Sequence, residues 1–326
     1  MAADQIESAP SAAYRLAVTT VVFIVLLLVA GALVTSNNAA DSVPDWPLAY
    51  GKLIPPLVGG IRFEYSHRVI AAIVSILTLI LAFTLAFGKS SAPPRHTRVA
   101  RRLGWLALAL VIVQAGLGGL RVLEGYPAII ATAHAILAQL FFITVVSLAI
   151  FISPWWQRDL PALNDSSSPR LNALAVATTC AIVIQLVLGA GFRHGAWGIL
   201  PHLIFFLVVT FMVIWVGRAA KSRFRGNPDL RRATVLLHST FGTQVLLGIG
   251  AFWATVRAIS AAQPTLPYVL LTVAHVLVGA LVLASSVLLA LTSFRLTRPA
   301  PAVSAVPASR STAENSSAHV SGAAAS

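Results

Sequence analysis

Residues 64–87 read EYSHRVIAAIVSILTLILAFTLAF. A polar and aromatic lip, Glu64 to Arg68, is followed by nineteen residues without a charge. A helix needs about 20 mostly apolar residues to cross the hydrocarbon core of a bilayer. The stretch therefore predicts a membrane span near 66–87, with an ionisable ring, His67, at its edge. Outward from it, further spans are predicted near 14–35, 100–121, 129–152, 171–192, 199–217, 232–253 and 268–292. The chain is 57% hydrophobic and only 10% charged, so almost all of it is committed to membrane. The first apolar run is too long for a secretory signal and is followed by no clear cleavage site.

The net charge of +13 would suit nucleic acid if it formed a patch, but the basic residues alternate with the spans. With the N-terminus placed in the cytoplasm, seventeen of the 23 Lys and Arg fall in inner loops or tails. Lys52, Arg62, Arg68, Arg121, Arg193 and Arg257 are left outside. This is the positive-inside bias, which orients both termini inward and argues for no nucleic-acid partner. The single cysteine, Cys180 in the fifth span, permits no intramolecular disulfide and is expected as a small core residue. Residues 1–13 and 299–326 are rich in Ala, Ser and Pro and are expected as disordered cytoplasmic ends.

Histidine recurs at one depth on alternate spans: His67, His134, His202 and His275. The third, fifth and seventh spans repeat a second signature, Gln114 with Gly118, Gln185 with Gly189 and Gln244 with Gly248. Residues four apart share a helix face, and glycine admits a neighbouring helix or a flat ligand. The first span keeps Gly31 but has no Gln. Small-residue packing alone explains the glycines, and any one histidine is accounted for as a hydrogen-bonded structural ring. Four at matched depth point instead to two pairs of axial ligands for haem iron. The expected architecture is all-α, an integral membrane protein with eight transmembrane helices in two tandem four-helix bundles, 14–157 and 170–294. Bundle cores are where cofactor sites are built. Glu64 shares a face with His67, and Arg68 at the interface suits a carboxylate such as a haem propionate. His238 falls toward the opposite face and reads as structural; His96, His194 and His319 carry no pattern. Zinc fits less well, since its ligands come at short spacing with Cys or carboxylate.

These residues resemble the haem A synthases of aerobic bacteria and mitochondria. The likeness is densest at Gly31-Ala32-Leu33-Val34-Thr35, Asp45-Trp46-Pro47-Leu48, Gly51-Lys52-Leu53-Ile54-Pro55 and Glu64-Tyr65-Ser66-His67-Arg68. What the resemblance implies is oxidation of a methyl group of haem O to a formyl group by successive hydroxylations, supplying haem A for terminal oxidase assembly. It implies substrate haem near His67 and His134 with Glu64 as the functional carboxylate, and a haem b cofactor whose iron is held by His202 and His275. The implied partners are haem O, a haem O synthase, a membrane electron donor and the lipid bilayer of a bacterial plasma membrane, with a homo-oligomer left open. Two features depart from the family. Its loop cysteine pair is replaced by Ser42 or Val43 and by Ala49, and His202 is followed by Leu203 instead of Arg. Arg193 then becomes the candidate partner for the second haem's propionates. The rival readings are a dihaem b-type cytochrome that only transfers electrons, and behind it a transporter, whose polar groups would sit at the midplane.

Overall fold

The computed structural model describes residues 11–88, 94–125 and 127–299. The ends expected to be disordered fall mostly outside these residues. Of them Ala12 already belongs to the first helix, which Ser11 caps by accepting a hydrogen bond from the Tyr14 N–H at 3.2 Å.

Eight described helices are long and apolar enough to cross a membrane. They are α1 Ala12–Ser36, α2 Ile61–Phe87, α3 Pro94–Leu123, α4 Ala128–Phe151, α6 Leu171–Arg193, α7 Leu200–Arg223, α8 Pro228–Ala258 and α9 Leu266–Leu296. A one-turn helix, α5 Pro154–Gln157, and two short strands, β1 Leu163–Asp165 and β2 Thr297–Pro299, complete the fold. Most helices run past the apolar stretch that announces them, because hydrogen bonding of the backbone continues into the interfacial zone where polar side chains reach water. Thus α2 starts at Ile61, which puts Glu64, His67 and Arg68 within its first turns. At the other end of the molecule α8 begins at Pro228, where the Asn227 side chain accepts from Asp229 and Leu230 N–H groups.

Helix contacts run in two circuits. One joins α1 to α2, α2 to α3, α3 to α4 and α4 back to α1; the other joins α6, α7, α8 and α9 in the same way. Ile24, Val74, Leu81, Phe142 and Leu148 fill the first core, and Leu171, Leu230, Leu237, Leu283 and Leu289 the second. In lipid such packing is held by van der Waals contact, since the tails are as apolar as the side chains. Ile112, Leu207, Leu246 and Ile249 project outward, as a hydrocarbon surround requires. Cys180 is also exposed on α6, so its expected place in the core is corrected: in lipid an outward position is as apolar as the core.

The circuits meet where α1 and α4 pack against α6 and α9. At the end away from the histidines, β1 pairs in parallel with β2, Leu163 opposite Thr297. Arg295 donates to the carbonyls of Trp156 and Arg158 at 3.2 and 2.5 Å. Asp165 accepts the Leu171 N–H at 2.7 Å, closing the start of α6. Burial pushes its carboxyl upward, but hydrogen bonds from Ser167 and Leu171 hold it below the usual carboxylate range.

The orientation is checked by single-cysteine labelling in a Cys180→Ser background. Leu53→Cys is expected to react with a membrane-impermeant maleimide on intact cells, and Arg225→Cys only after permeabilisation. The reverse pattern would invert the topology.

Candidate functional site

His67 and His134 are each the seventh residue of their helix, α2 and α4; His202 is the third of α7 and His275 the tenth of α9. The even spans therefore carry their rings at one end of the molecule. Each ring lies against a glycine of the preceding span. A Cβ on Gly31 would come within 3.1 Å of His67 Cε1, and one on Gly118 within 3.3 Å of His134 Cε1. The same position on Gly189 meets His202 at 2.9 Å, and on Gly248 meets His275 at 3.0 Å. Alanine at any of the four would push the ring aside, so the glycines are there for close approach.

Glutamine follows the same repeat. Gln114 Nε2 lies 3.2 Å from His134 Nε2 and donates to the His134 carbonyl at 3.0 Å. Gln185 stands 3.4 Å from His202 Nε2 and donates to its carbonyl at 3.0 Å. Gln244 is 3.3 Å from His275 Nε2, in room left by Gly279. Within the first circuit His134 interacts electrostatically with His67, and within the second His275 interacts with His202. The histidine-bearing helices are diagonal in each circuit, so each pair spans a bundle interior.

The donor set fits haem. Among the described residues no three of His, Cys, Asp and Glu come together as a metal cage. Two facing imidazoles supply axial positions only, which is what an iron already held by a porphyrin needs. His67, His134 and His275 each leave Nδ1 buried without a hydrogen-bond partner, as do Oε1 of Gln114, Gln185 and Gln244. A buried polar atom left unpaired is costly, and a ligand bound there would supply partners.

One circuit carries more than its histidines. Glu64, 5% exposed, accepts from Arg68 Nη2 at 2.6 Å and from the Val43 N–H at 3.0 Å. Arg68 Nη1 donates to the carbonyls of Asp45 and Leu48, both at 2.7 Å. Its terminal nitrogens thus serve the first connecting loop and Glu64. Asp45 accepts from the Tyr50 and Gly51 N–H groups at 2.6 and 2.8 Å. Both residues have positive φ, in a two-residue hairpin turn closed by Ala49 and Lys52. The Gly51 hydrogen bond above all lowers the Asp45 pKa. Tyr50 Oη donates to the Ser42 carbonyl at 2.7 Å. The loop is therefore fastened by polar contacts around Ser42, Val43 and Ala49. Its Trp46 lies on Gly119 of α3, the residue after Gly118.

Three other residues need comment. Arg193 Nη2 donates across the circuits, to the Ala32 carbonyl at 3.1 Å and Ser36 Oγ at 2.8 Å. Ser36 Oγ in turn shares a hydrogen bond with Thr272 Oγ1 at 2.8 Å. Sequence reasoning missed Arg121 and His194. Arg121 interacts with Glu64, His67, His134 and His194; its signal was a basic residue on the outer side, three residues after Gly118. His194 caps α6 and lies near Arg193, Arg121 and His134, which no local pattern marked. His238 sits apart, its Nδ1 2.8 Å from the Thr234 carbonyl and its ring against Gly217.

Two outcomes follow from this geometry. Arg68→Ala strands a buried carboxylate and several loop carbonyls, which should cost about 3 kcal/mol and make residues 42–53 cleavable in limited proteolysis; an unchanged digest would contradict the locking role. Desolvation, then Arg193 and Arg121, lower the His194 pKa from 6.5 to about 4. The unfolded chain thus takes up this proton first, so stability present above pH 6.5 is lost as pH falls toward 4. His194→Gln should flatten the fall in melting temperature over that window.

Residues 61–201 match the family model described as cytochrome oxidase assembly protein, a stretch that includes Glu64, His67, Arg68, His134 and Arg193. The chain is also similar to curated proteins named heme A synthase. That of Lysinibacillus sphaericus is 30% identical over 180 residues, 55% of this chain and 57% of the relative. That of Halalkalibacterium halodurans is 35% identical over 136 residues, 41% of this chain and 42% of the relative. That of Symbiobacterium thermophilum is 26% identical over 206 residues, 63% of this chain and 57% of the relative. The chain thus spans about half the length of the curated relatives it matches. Over the matched segment the chain is thus similar to cytochrome oxidase assembly proteins and to proteins named heme A synthase.

Proposed function

We propose that the protein is a haem A synthase, oxidising a methyl group of haem O to a formyl group by successive hydroxylations. The observation that carries this reading is the asymmetry between two otherwise repeated sites. Both circuits present a facing histidine pair seated on glycines, but only the first adds a buried Glu64–Arg68 pair and a fastened loop. An electron carrier with two equivalent haems has no use for that addition. The first circuit, 14–157, then takes haem O between His67 and His134, and the second, 170–294, holds haem b between His202 and His275. Bound there, haem b supplies one-electron transfer.

The chain's own residues divide the remaining work. Glu64 lies one helical turn from His67, with a lone pair left on each oxygen after its contacts with Arg68 and Val43. It accepts or returns a proton at the carbon being oxidised. Arg68 holds that carboxylate in place and, through the Asp45 and Leu48 carbonyls, fastens the loop that carries Trp46. Arg193, close to Gly189 on α6 and bonded to α1, fixes the two sites relative to each other. A haem O synthase delivers the substrate, a membrane electron donor serves the enzyme, and the protein works in the bacterial plasma membrane with cytoplasmic termini.

The test is mass analysis of haems extracted from membranes that express the chain with a haem O synthase. Haem A or its hydroxymethyl intermediate is expected; haem B and haem O alone, with a bis-histidine spectrum, would favour the dihaem b-type cytochrome. Glu64→Gln should keep the haem content and cut formyl product by about 100-fold. Undiminished product in that variant would remove Glu64 from the chemistry.

A further inference from the structure

The end of the molecule away from the histidines carries a cleft of about 190 Å³ that the haem reading does not use. It lies where α8 begins and α9 ends, beside the short helix α5 that follows the first circuit. Asp229, Arg232, Ala233 and Leu236 line it from α8; at spacings of three, four and seven residues they share one helix face. Leu288 contributes from α9 and Trp155 from α5. The cleft therefore sits on the seam between the two circuits.

Its lining is of two kinds. Ala233, Leu236 and Leu288 make an apolar floor, and Leu236 is exposed beside Val235 on α8, a surface that belongs to the hydrocarbon. The cation and the indole stand at the polar edge. Arg232 is 3.9 Å from Asp229 with its own side chain 76% exposed, and so open an ion pair contributes little. Its guanidinium is available to another anion. Asp229 is the one acid in the lining, set against Arg232, the adjoining Arg231 and Arg295 of α9, which donates to the Trp156 carbonyl at 3.2 Å. Trp155 packs edge-on against Trp156, ring centroids 6.0 Å apart. Tryptophan is favoured where a span meets the headgroups, and a basic recess between helices at that depth recruits anionic lipid.

We propose that this cleft binds one anionic phospholipid, with its phosphate at Arg232 beside Trp155 and the first part of an acyl chain along Ala233, Leu236 and Leu288. A soluble anion has no use for the apolar floor, and a zwitterionic lipid brings a cation into a basic surround. The bound lipid fills the seam between α5 and the α8–α9 pair. The site stands or falls independently of the haem reading.

Native mass spectrometry of the full chain, released from detergent after defined lipid is added, tests the proposal. Phosphatidylglycerol and phosphatidylcholine with the same acyl chains are the probes, and inorganic phosphate is the competitor. One phosphatidylglycerol is expected to stay on each chain, in preference to phosphatidylcholine and undisturbed by phosphate. Arg232→Gln should lower that retention by about fivefold at unchanged haem content. Arg225→Gln, which removes an exposed cation outside the cleft, should leave it as in the wild type. Equal retention of the two lipids or displacement by inorganic phosphate overturns the proposal. So does an equal loss in both variants, which marks diffuse attraction to a basic surface. Should Arg232→Gln fail to accumulate, Leu236→Gln decides, because it alters the floor at an exposed position; undiminished retention there counts against the site.

Discussion

A glycine on each odd span leaves room for the edge of an imidazole from the next helix, with 2.9–3.3 Å between ring atoms and where a Cβ would stand. Every other feature of the site is arranged around this contact. It sets the separation of α1 from α2, α3 from α4, α6 from α7 and α8 from α9. It also turns each ring inward, where its partner is the ring on the diagonal helix. A polar ring in a bundle interior must be compensated, and the protein compensates only partly: three amides reach the rings, while Nδ1 of three histidines stays unpaired. The incompleteness is what argues for a ligand, since a purely structural histidine such as His238 finds its own carbonyl.

The two circuits share this plan and then diverge. The second is spare, with a short connection between α6 and α7 whose Trp197 lies against Gly191 and donates to the Leu188 carbonyl at 2.9 Å. In the first, the longer connection is tied down by Glu64, Arg68 and Asp45. The halves are joined at both ends of the molecule. Arg193, Ser36 and Thr272 bond across them near the histidines, and the β1–β2 pairing with Arg295 fastens the opposite side.

Much of this was legible in the sequence because a bilayer imposes a length and an apolar composition on every span, and both can be read off residue by residue. The four histidines and the Gln–Gly repeat stood out for the same reason, since polar residues in such spans are few. What escaped reading depended on contacts between distant segments. Arg68 found loop carbonyls, which no side-chain pattern announces. His194 lies near the first circuit because α6 packs beside α4, a neighbour relation invisible locally. Cys180 showed the limit of hydrophobicity as a guide, since in a membrane both the core and the outside are apolar. The parallel pairing of residues 163–165 with 297–299 joins segments more than a hundred residues apart and had no signature at all.

The central claim is that the four histidines work as two pairs, one per circuit. Electron paramagnetic resonance of the oxidised full chain, with haem content measured on the same sample, tests it through the four single His→Ala variants. His67→Ala and His134→Ala are expected to perturb one low-spin haem signal, and His202→Ala and His275→Ala the other. A shared signal for His67 and His275, or for His134 and His202, would contradict the pairing and the division of labour built on it.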